Sequence, residues 1–364
     1  MLNITKIKLG NLLDFVQSEQ YLSFNEKPIS LLRAESYIKN PNANLEDFVL
    51  YMAFINNELI GYRTILTDVF YNGNIKQKFG WLSGNWVHPK HRRKNISTIL
   101  FKAVLKDWNN QLIYSNYAEE SKALYDKTNT FSELKTLKGV RYYRRYSLAE
   151  LLPPKNKIFL FIKPFLHLSD WFLNLFSDLK LAKNEVISDY KIHKIKSWNS
   201  EIQVFLSNFK EKELFRRDLK TLQWIINYPW IKTDKDTKTL SEKYQFSSYA
   251  DVFENNFYVI KNNYNKIITI INISVRNKQL KIPYFYSTKE GIKPSIDLIL
   301  NTCNEYKINY LTIYDEVLNN VLKNQVFLKQ KPFIQKYFIT KELKKRLPNL
   351  NTHIQTGDGD NVFT

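Results

Sequence analysis

The 364-residue sequence predicts an α+β protein of two tandem domains, each a mixed β-sheet flanked by helices. Strand-like stretches alternate with helical ones along the chain, which excludes an all-β or all-α domain. The length suits two domains better than one, at about 100 to 200 residues per domain. The order of strands and helices in the first half also recurs in the second. The expected boundaries are a first domain over 1–150, an aromatic amphipathic linker over 151–186, a second domain over 187–345 and a tail over 346–364.

Ile4 to Leu9 reads as the first strand, and 12–19 and 29–39 as helices. "LEDFVLYMAFINNELIGYRTILTDVFYNG" reads as two strands around the polar turn Asn56-Asn57, because β-branched and aromatic residues fill both arms. "KQKFGWLSGNWVHP" is a further strand, halted at Pro89, which has no N–H to donate to a ladder. From Thr98 to Trp108 the apolar Ile99, Leu100, Ala103, Val104 and Trp108 recur at helical spacing. "QLIYSNYA" is then a strand, "EESKALYDKT" a helix and "VRYYRRYSLAEL" a closing strand.

The run "IFLFIKPFLHLSDWFLNLFSDLKL" is broken by Lys163, Pro164 and Asp170 before it reaches the ~18 to 20 apolar residues that cross a bilayer. Trp171, Phe172, Leu175 and Phe176 fall on one helical face. Packing between domains is the expectation; the alternative is peripheral membrane contact through 157–177. From Ser188 a second alternating pattern runs through "NNFYVIKN", "KIITIINISV" and "LKIPYFYST" to the helix "SIDLILNTCNEY" and the strand "INYLTIYD". The ending "NTHIQTGDGDNVFT" suits either a loose tail or a docked segment.

At 44% hydrophobic and 15% aromatic the chain is globular, not disordered. A formal charge of +19 suits nucleic acid, an anionic membrane or an anionic substrate, yet Lys, Asn and Ile abound throughout, as coding bias would produce. The single Cys303 excludes an internal disulfide, and nothing resembling a cleavable signal precedes the first strand, so a cytoplasmic setting is expected. The five histidines show no ligand spacing, and no metal is expected.

The stretch "VHPKHRRKNISTIL", residues 87–100, carries the chemistry. The first amides of a helix have no intrahelical partners and lie at the positive end of its dipole, so they seat phosphate. Arg92, Arg93 and Lys94 add cations, Asn95 tolerates the left-handed backbone that turns amides toward one anion, and Ser97 or Thr98 is placed to cap the helix.

"WVHPKHRRKNISTIL" resembles the cofactor motif of the GNAT superfamily of acyl-CoA-dependent N-acyltransferases, Arg/Gln-x-x-Gly-x-Gly/Ala after a strand ending Val-x-Pro. Arg92, Asn95 and Ser97 occupy the motif positions, the last two in place of glycines. "NYAEESKALYDKTNTF" is similar to the superfamily's later signature, with Asn116, Leu124, Tyr125, Lys127 and Phe131 in place. The likeness covers residues 1–150 and implies a sheet splayed where the cofactor enters. The tandem plan resembles double-GNAT proteins, including Fem-type aminoacyl transferases, and the chain looks like acyltransferases of Bacteroidetes-type bacteria.

The resemblance implies acetyl-CoA or another acyl-CoA as co-substrate. Val87 and nearby strand backbone would bind the pantetheine arm; Arg92, Arg93, Lys94, Asn95, Ile96, Ser97 and Thr98 the pyrophosphate; Asn116 the pantetheine or acceptor. Tyr125 would protonate the leaving thiolate. The plainer readings are a core valine, a solvated basic turn, a strand-end cap and a buried structural tyrosine. The general base is not identified: Glu119, Glu120, Ser83, Asn85 and a water chain are the candidates. The expected activity is N-acetyltransfer to a small-molecule, sugar or peptide amine, with no nucleic acid as partner. Fem-type transfer from charged tRNA and a non-catalytic basic scaffold are the alternatives.

Overall fold

The structure, a computed structural model, describes residues 1–115, 119–181, 190–347 and 353–363. In chain order its elements are β1 (Leu2–Lys8), α1 (Leu12–Gln17), α2 (Glu19–Ser23), α3 (Leu31–Ile38), β2 (Phe48–Ile55), β3 (Glu58–Asn72), β4 (Ile75–Val87), α4 (Ile96–Asp107), β5 (Leu112–Ser115), α5 (Glu119–Thr128) and β6 (Phe131–Tyr143). Next come α6 (Leu148–Leu151), α7 (Ile158–Phe161), α8 (Lys163–Leu181), β7 (Lys191–Lys194), α9 (Ser200–Ser207), α10 (Leu219–Asn227) and α11 (Lys235–Ser241). The chain continues through β8 (Phe253–Lys261), β9 (Ile267–Arg276), β10 (Gln279–Lys281), β11 (Phe285–Ser287), α12 (Ile292–Glu305), β12 (Tyr310–Ile313), α13 (Glu316–Leu322), β13 (Lys329–Thr340) and α14 (Lys341–Lys344).

The chain divides into two packing units, each built from separate stretches. The first comprises Met1–Leu137, Trp198–Phe253 and Gln335–Thr364, and the second Lys138–Ser197 and Glu254–Ile334. Each unit is thus discontinuous along the chain.

In the first unit the strands run β1-β2-β3-β4-β5-β13. The pairs are antiparallel except β4 with β5, which is parallel. Asn56 and Asn57 both take positive φ at the β2–β3 turn, as a tight hairpin matched to strand twist requires. α4 lays Ile96, Leu100, Phe101 and Val104 on Ile60, Ile65 and Leu82 of the sheet. Gly61 permits this close approach, because a Cβ there would lie 3.0 Å from Ile96 Cγ2 and 3.2 Å from the Trp86 carbonyl oxygen. The ending is docked: Ile354, Asp358, Val362 and Phe363 are buried, and Phe363 stacks on Trp230.

The second unit orders its strands β6-β12-β10-β9-β8-β7, with β11 beside β9, and α12 and α13 pack Ile299, Cys303 and Leu318 onto Ile271, Ile273 and Leu311. Both units are thus mixed sheets with helices, the α+β class expected.

Several elements depart from the expectation. The strand expected over "VRYYRRYSLAEL" begins earlier, at Phe131, and ends at Tyr143; Leu148–Leu151 is helical. "LKIPYFYST" breaks into β10 and β11 around Pro283, which cannot donate to a ladder. β13, with Pro332 inside it, has no counterpart among the expected strands, yet it pairs Tyr337 to Ser115 and Ile339 to Ile113.

The helix α8 reverses the expectation that its aromatic face packs. Its polar side is inward: the buried Asp170 accepts from the Leu148 and Ala149 amides, at 2.7 and 3.0 Å, and the buried Asn174 bonds both backbone groups of Tyr146. Trp171, Phe172, Leu175 and Phe176 are exposed. Among the described residues no helix is long and apolar enough to cross a membrane, and no cluster of His, Cys, Asp and Glu is arranged to hold a metal.

Candidate active site

β4 runs against β3 from Asn72–Ile75 to Gly61–Val87 but pairs with β5 only at Gly80–Leu112 and Trp81–Ile113. Past Trp81 the sheet parts, leaving the edge of β4 from Leu82 to Val87 unpaired by β5. The register also slips between Thr64↔Gly84 and Ile65↔Leu82, so Ser83 is a bulged extra residue at the parting.

Beyond the half-buried Val87, the His88 amide bonds the Ile60 carbonyl, and Pro89–His91 makes one tight turn. Arg93 and Asn95 both take left-handed φ, 62° and 61°. α4 starts at Ile96, two residues before the expected Thr98, with Asn95 at the cap position and no side-chain cap bond. Neither Ser97 nor Thr98 caps the helix. Among the described residues, no hydrogen bond engages the backbone amides from Arg93 to Thr98; the first helical one is Ile99 to the Asn95 carbonyl. Arg92, Arg93, Lys94 and Asn95 are exposed around this row of amides, Ser97 and Thr98 half-buried, and Ile96 buried as the anchor. Arg92 Nε reaches the Val87 carbonyl at 3.4 Å. Unpartnered amides, left-handed turns and three cations at a helix start make an anion seat.

Ser97 has a different partner. Its hydroxyl donates to Asn85 Oδ1 at 3.2 Å and accepts from Arg63 Nη2 at 3.3 Å. Arg63 is fully buried, and its Nη1 donates to the Tyr125 hydroxyl oxygen at 2.6 Å. The loop and the "LYDK" signature are thereby tied through an arginine that sequence reading missed. The available signal was a cation in the apolar run "LIGYRTILTDVF". No carboxylate among the described residues pairs with Arg63, and its Nε has no partner. Asn116 and Tyr117 lie outside the described residues, as do the side chains of Glu119 and Glu120.

Thr64 and Gly84 alternate with Arg63 and Asn85 and so face the other side of the sheet. There the buried Arg33 donates to Ser83 Oγ at 3.1 Å and Thr64 Oγ1 at 3.3 Å, with its guanidinium 3.9 Å from the Trp230 ring centroid. Ser83 Oγ donates to Asp360 Oδ2 at 2.8 Å. Burial works against the Arg33 charge, but its pKa is raised on balance, with Asp360 among the groups favouring the cation. Arg33 Nε, Trp230 Nε1 and the Tyr37, Tyr62 and Tyr244 hydroxyls are buried without a well-aligned partner. Burial pushes Tyr244 up to about 12, so it stays a donor.

An ion network holds Asp360's segment. The buried Arg217 reaches Asp68 through Nη1 and Nη2 at 2.7 and 2.9 Å and Asp358 through Nε at 3.0 Å, while Trp81 Nε1 also bonds Asp68. Burial pushes the Asp358 carboxyl up to about 6; the Asp68 charge acts the same way and Arg217 opposes both. Arg217→Met should lower stability by about 3 to 5 kcal/mol in denaturant unfolding, because two buried carboxylates lose their counter-charge. A loss below about 1 kcal/mol would show that the network does not hold the fold.

Residues 13–129 match the model of the acetyltransferase (GNAT) family. No curated protein matches the chain in sequence. Among solved structures it is similar to a probable N-acyltransferase of Enterococcus faecalis, at 11% identity and TM-score 0.52 over 94% of this chain and 73% of that one. It is similar also to Saccharomyces cerevisiae N-myristoyltransferase with bound myristoyl-CoA, at 10% identity and TM-score 0.53 over 97% and 85%. A tandem GNAT protein from the clavulanic acid biosynthesis pathway aligns at 10% identity and TM-score 0.48 over 93% and 97%. At such identities the first two likenesses speak for the fold. Over residues 13–129 the chain carries a domain of the acetyltransferase (GNAT) family.

Proposed function

We propose that the protein is an acyl-CoA-dependent acyltransferase that moves an acetyl or other acyl group to an amine of a small-molecule, sugar or peptide acceptor by direct attack. The observation that carries this reading is the row of unpartnered amides from Arg93 to Thr98, ringed by Arg92, Arg93 and Lys94, beside the unpaired edge of β4. The yeast enzyme of similar fold holds myristoyl-CoA, which supports acyl-CoA as the ligand.

Bound acyl-CoA supplies the thioester that the amine attacks. The amides and cations from Arg92 to Thr98 hold its pyrophosphate, and the backbone from Leu82 to Val87 takes its peptide-like pantetheine arm as an added strand. Asn116 remains assigned to the pantetheine or the acceptor. The acceptor enters on the Arg33 face, beside Ser83 and Asp360. An ammonium must first lose a proton, and Ser83 can pass it to Asp360, a half-exposed carboxylate able to return it to solvent. On the opposite face Tyr125 gives its proton to the departing sulfur, with Arg63 holding the hydroxyl oxygen in place.

An amine panel incubated with acetyl-CoA, read as free thiol, tests the reading. Acceptor-dependent thiol release is the expected result; binding of acetyl-CoA with no release to any amine would overturn transfer to nitrogen.

A further inference from the structure

The segment from α7 through α8 lies in the second unit, and its apolar side is exposed. Phe165, Leu168, Phe172, Leu175 and Phe176 recur at spacings of three and four, so they form one stripe along α8. Their exposures run from 44% to 70%, Trp171 beside them is 61% exposed, and Phe161 at the end of α7 is 85% exposed. Five aromatic rings open to this degree present on the order of several hundred Å² of apolar surface, beyond what a surface needs without a partner.

The outward orientation is built in. Asp170 and Asn174 lie on the far side of the helix and are spent on the backbone of 146–149, while Asp178 pairs with Arg145 at 3.2 Å. Turning the aromatic stripe inward would break the bonds that Asp170 and Asn174 make to buried amides. Charge selects the partner. Lys155, Lys157 and Lys163 are exposed along the segment, and the only carboxylate from 151 to 176, Asp170, is buried. Two copies meeting through this face would bring lysines together with no acid on it to answer them; an anionic bilayer answers them and takes the rings at its headgroup boundary.

We propose that α7 and α8 seat the protein on an anionic membrane surface, with the Phe165–Phe176 stripe in the interface and the three lysines on the headgroups. The length and interruptions of the segment fit a helix lying on the bilayer, not crossing it.

Flotation of the full chain with vesicles of phosphatidylcholine alone, or with 30% phosphatidylglycerol, tests this. Binding is expected on the anionic vesicles, at least tenfold weaker on the neutral ones. Leu168→Asp/Phe172→Asp should abolish it, and Lys155→Gln/Lys157→Gln/Lys163→Gln should remove its dependence on phosphatidylglycerol; because these side chains are exposed, circular dichroism and melting should stay native. Trp171 is the only strongly exposed tryptophan among the described residues, so brominated lipid should quench fluorescence in the wild type and not in Trp171→Phe. Absent binding, binding that survives Leu168→Asp/Phe172→Asp, or a wild-type dimer that this variant makes monomeric without vesicle binding would overturn the proposal.

Discussion

Asp360→Asn is expected to lower turnover by roughly 10²- to 10⁴-fold while acetyl-CoA affinity holds. Asparagine keeps the size of the side chain and an oxygen to accept from Ser83, but it cannot take up the proton an ammonium must shed. Asp358 anchors the segment independently through Arg217, so the variant should stay folded, melting somewhat below the wild type because the buried Arg33 loses the nearby Asp360 charge. Wild-type turnover in Asp360→Asn would move the base elsewhere, to the side chains of Glu119 or Glu120 or to a water chain.

Tyr125→Phe should lower turnover by roughly 10- to 10⁴-fold, the usual worth of general acid catalysis. The hydroxyl also accepts from the buried Arg63, so its loss leaves a buried charged donor short of a partner and should lower stability by about 1 to 3 kcal/mol. The two effects separate in Arg63→Met/Tyr125→Phe, where the unpaired cation is gone. That double variant should regain most of the melting temperature and none of the rate. A rate that recovers together with stability would make Tyr125 a structural residue.

The first domain's order of elements was legible because its signals are local. The Asn56-Asn57 turn, Pro89 after β4, and the apolar spacing of α4 are each set by neighbouring residues. Asn95 likewise takes the left-handed angle that a residue replacing glycine must take in the motif. The pairing of distant segments was not legible. β13 reaches β5 across more than two hundred residues, and its Pro332 argues against a strand when read alone. Arg63 stands out in sequence as a cation inside an apolar run while Arg33 looks like an ordinary surface cation, and only the fold shows that both are buried, on opposite faces of the sheet. Asp360 sat in a Gly/Asp-rich ending that read equally as tail or docked segment. The α8 stripe misled for a physical reason: periodicity locates an apolar face but does not say whether that face or its polar opposite meets the protein.

The start of α4 is proposed to seat the pyrophosphate of an acyl-CoA. Calorimetric titration of the full chain with acetyl-CoA tests it most directly, run on the wild type, Asn95→Gly and Asn95→Val. Glycine accepts the positive φ at position 95 freely, while a β-branched residue is an outlier there and would pull the amides out of line. Binding by the wild type and Asn95→Gly alike is expected, with weakening by about tenfold or more in Asn95→Val, as if one or two charge–dipole contacts were lost. Equal affinity for all three proteins, or no heat with any of them, would contradict it.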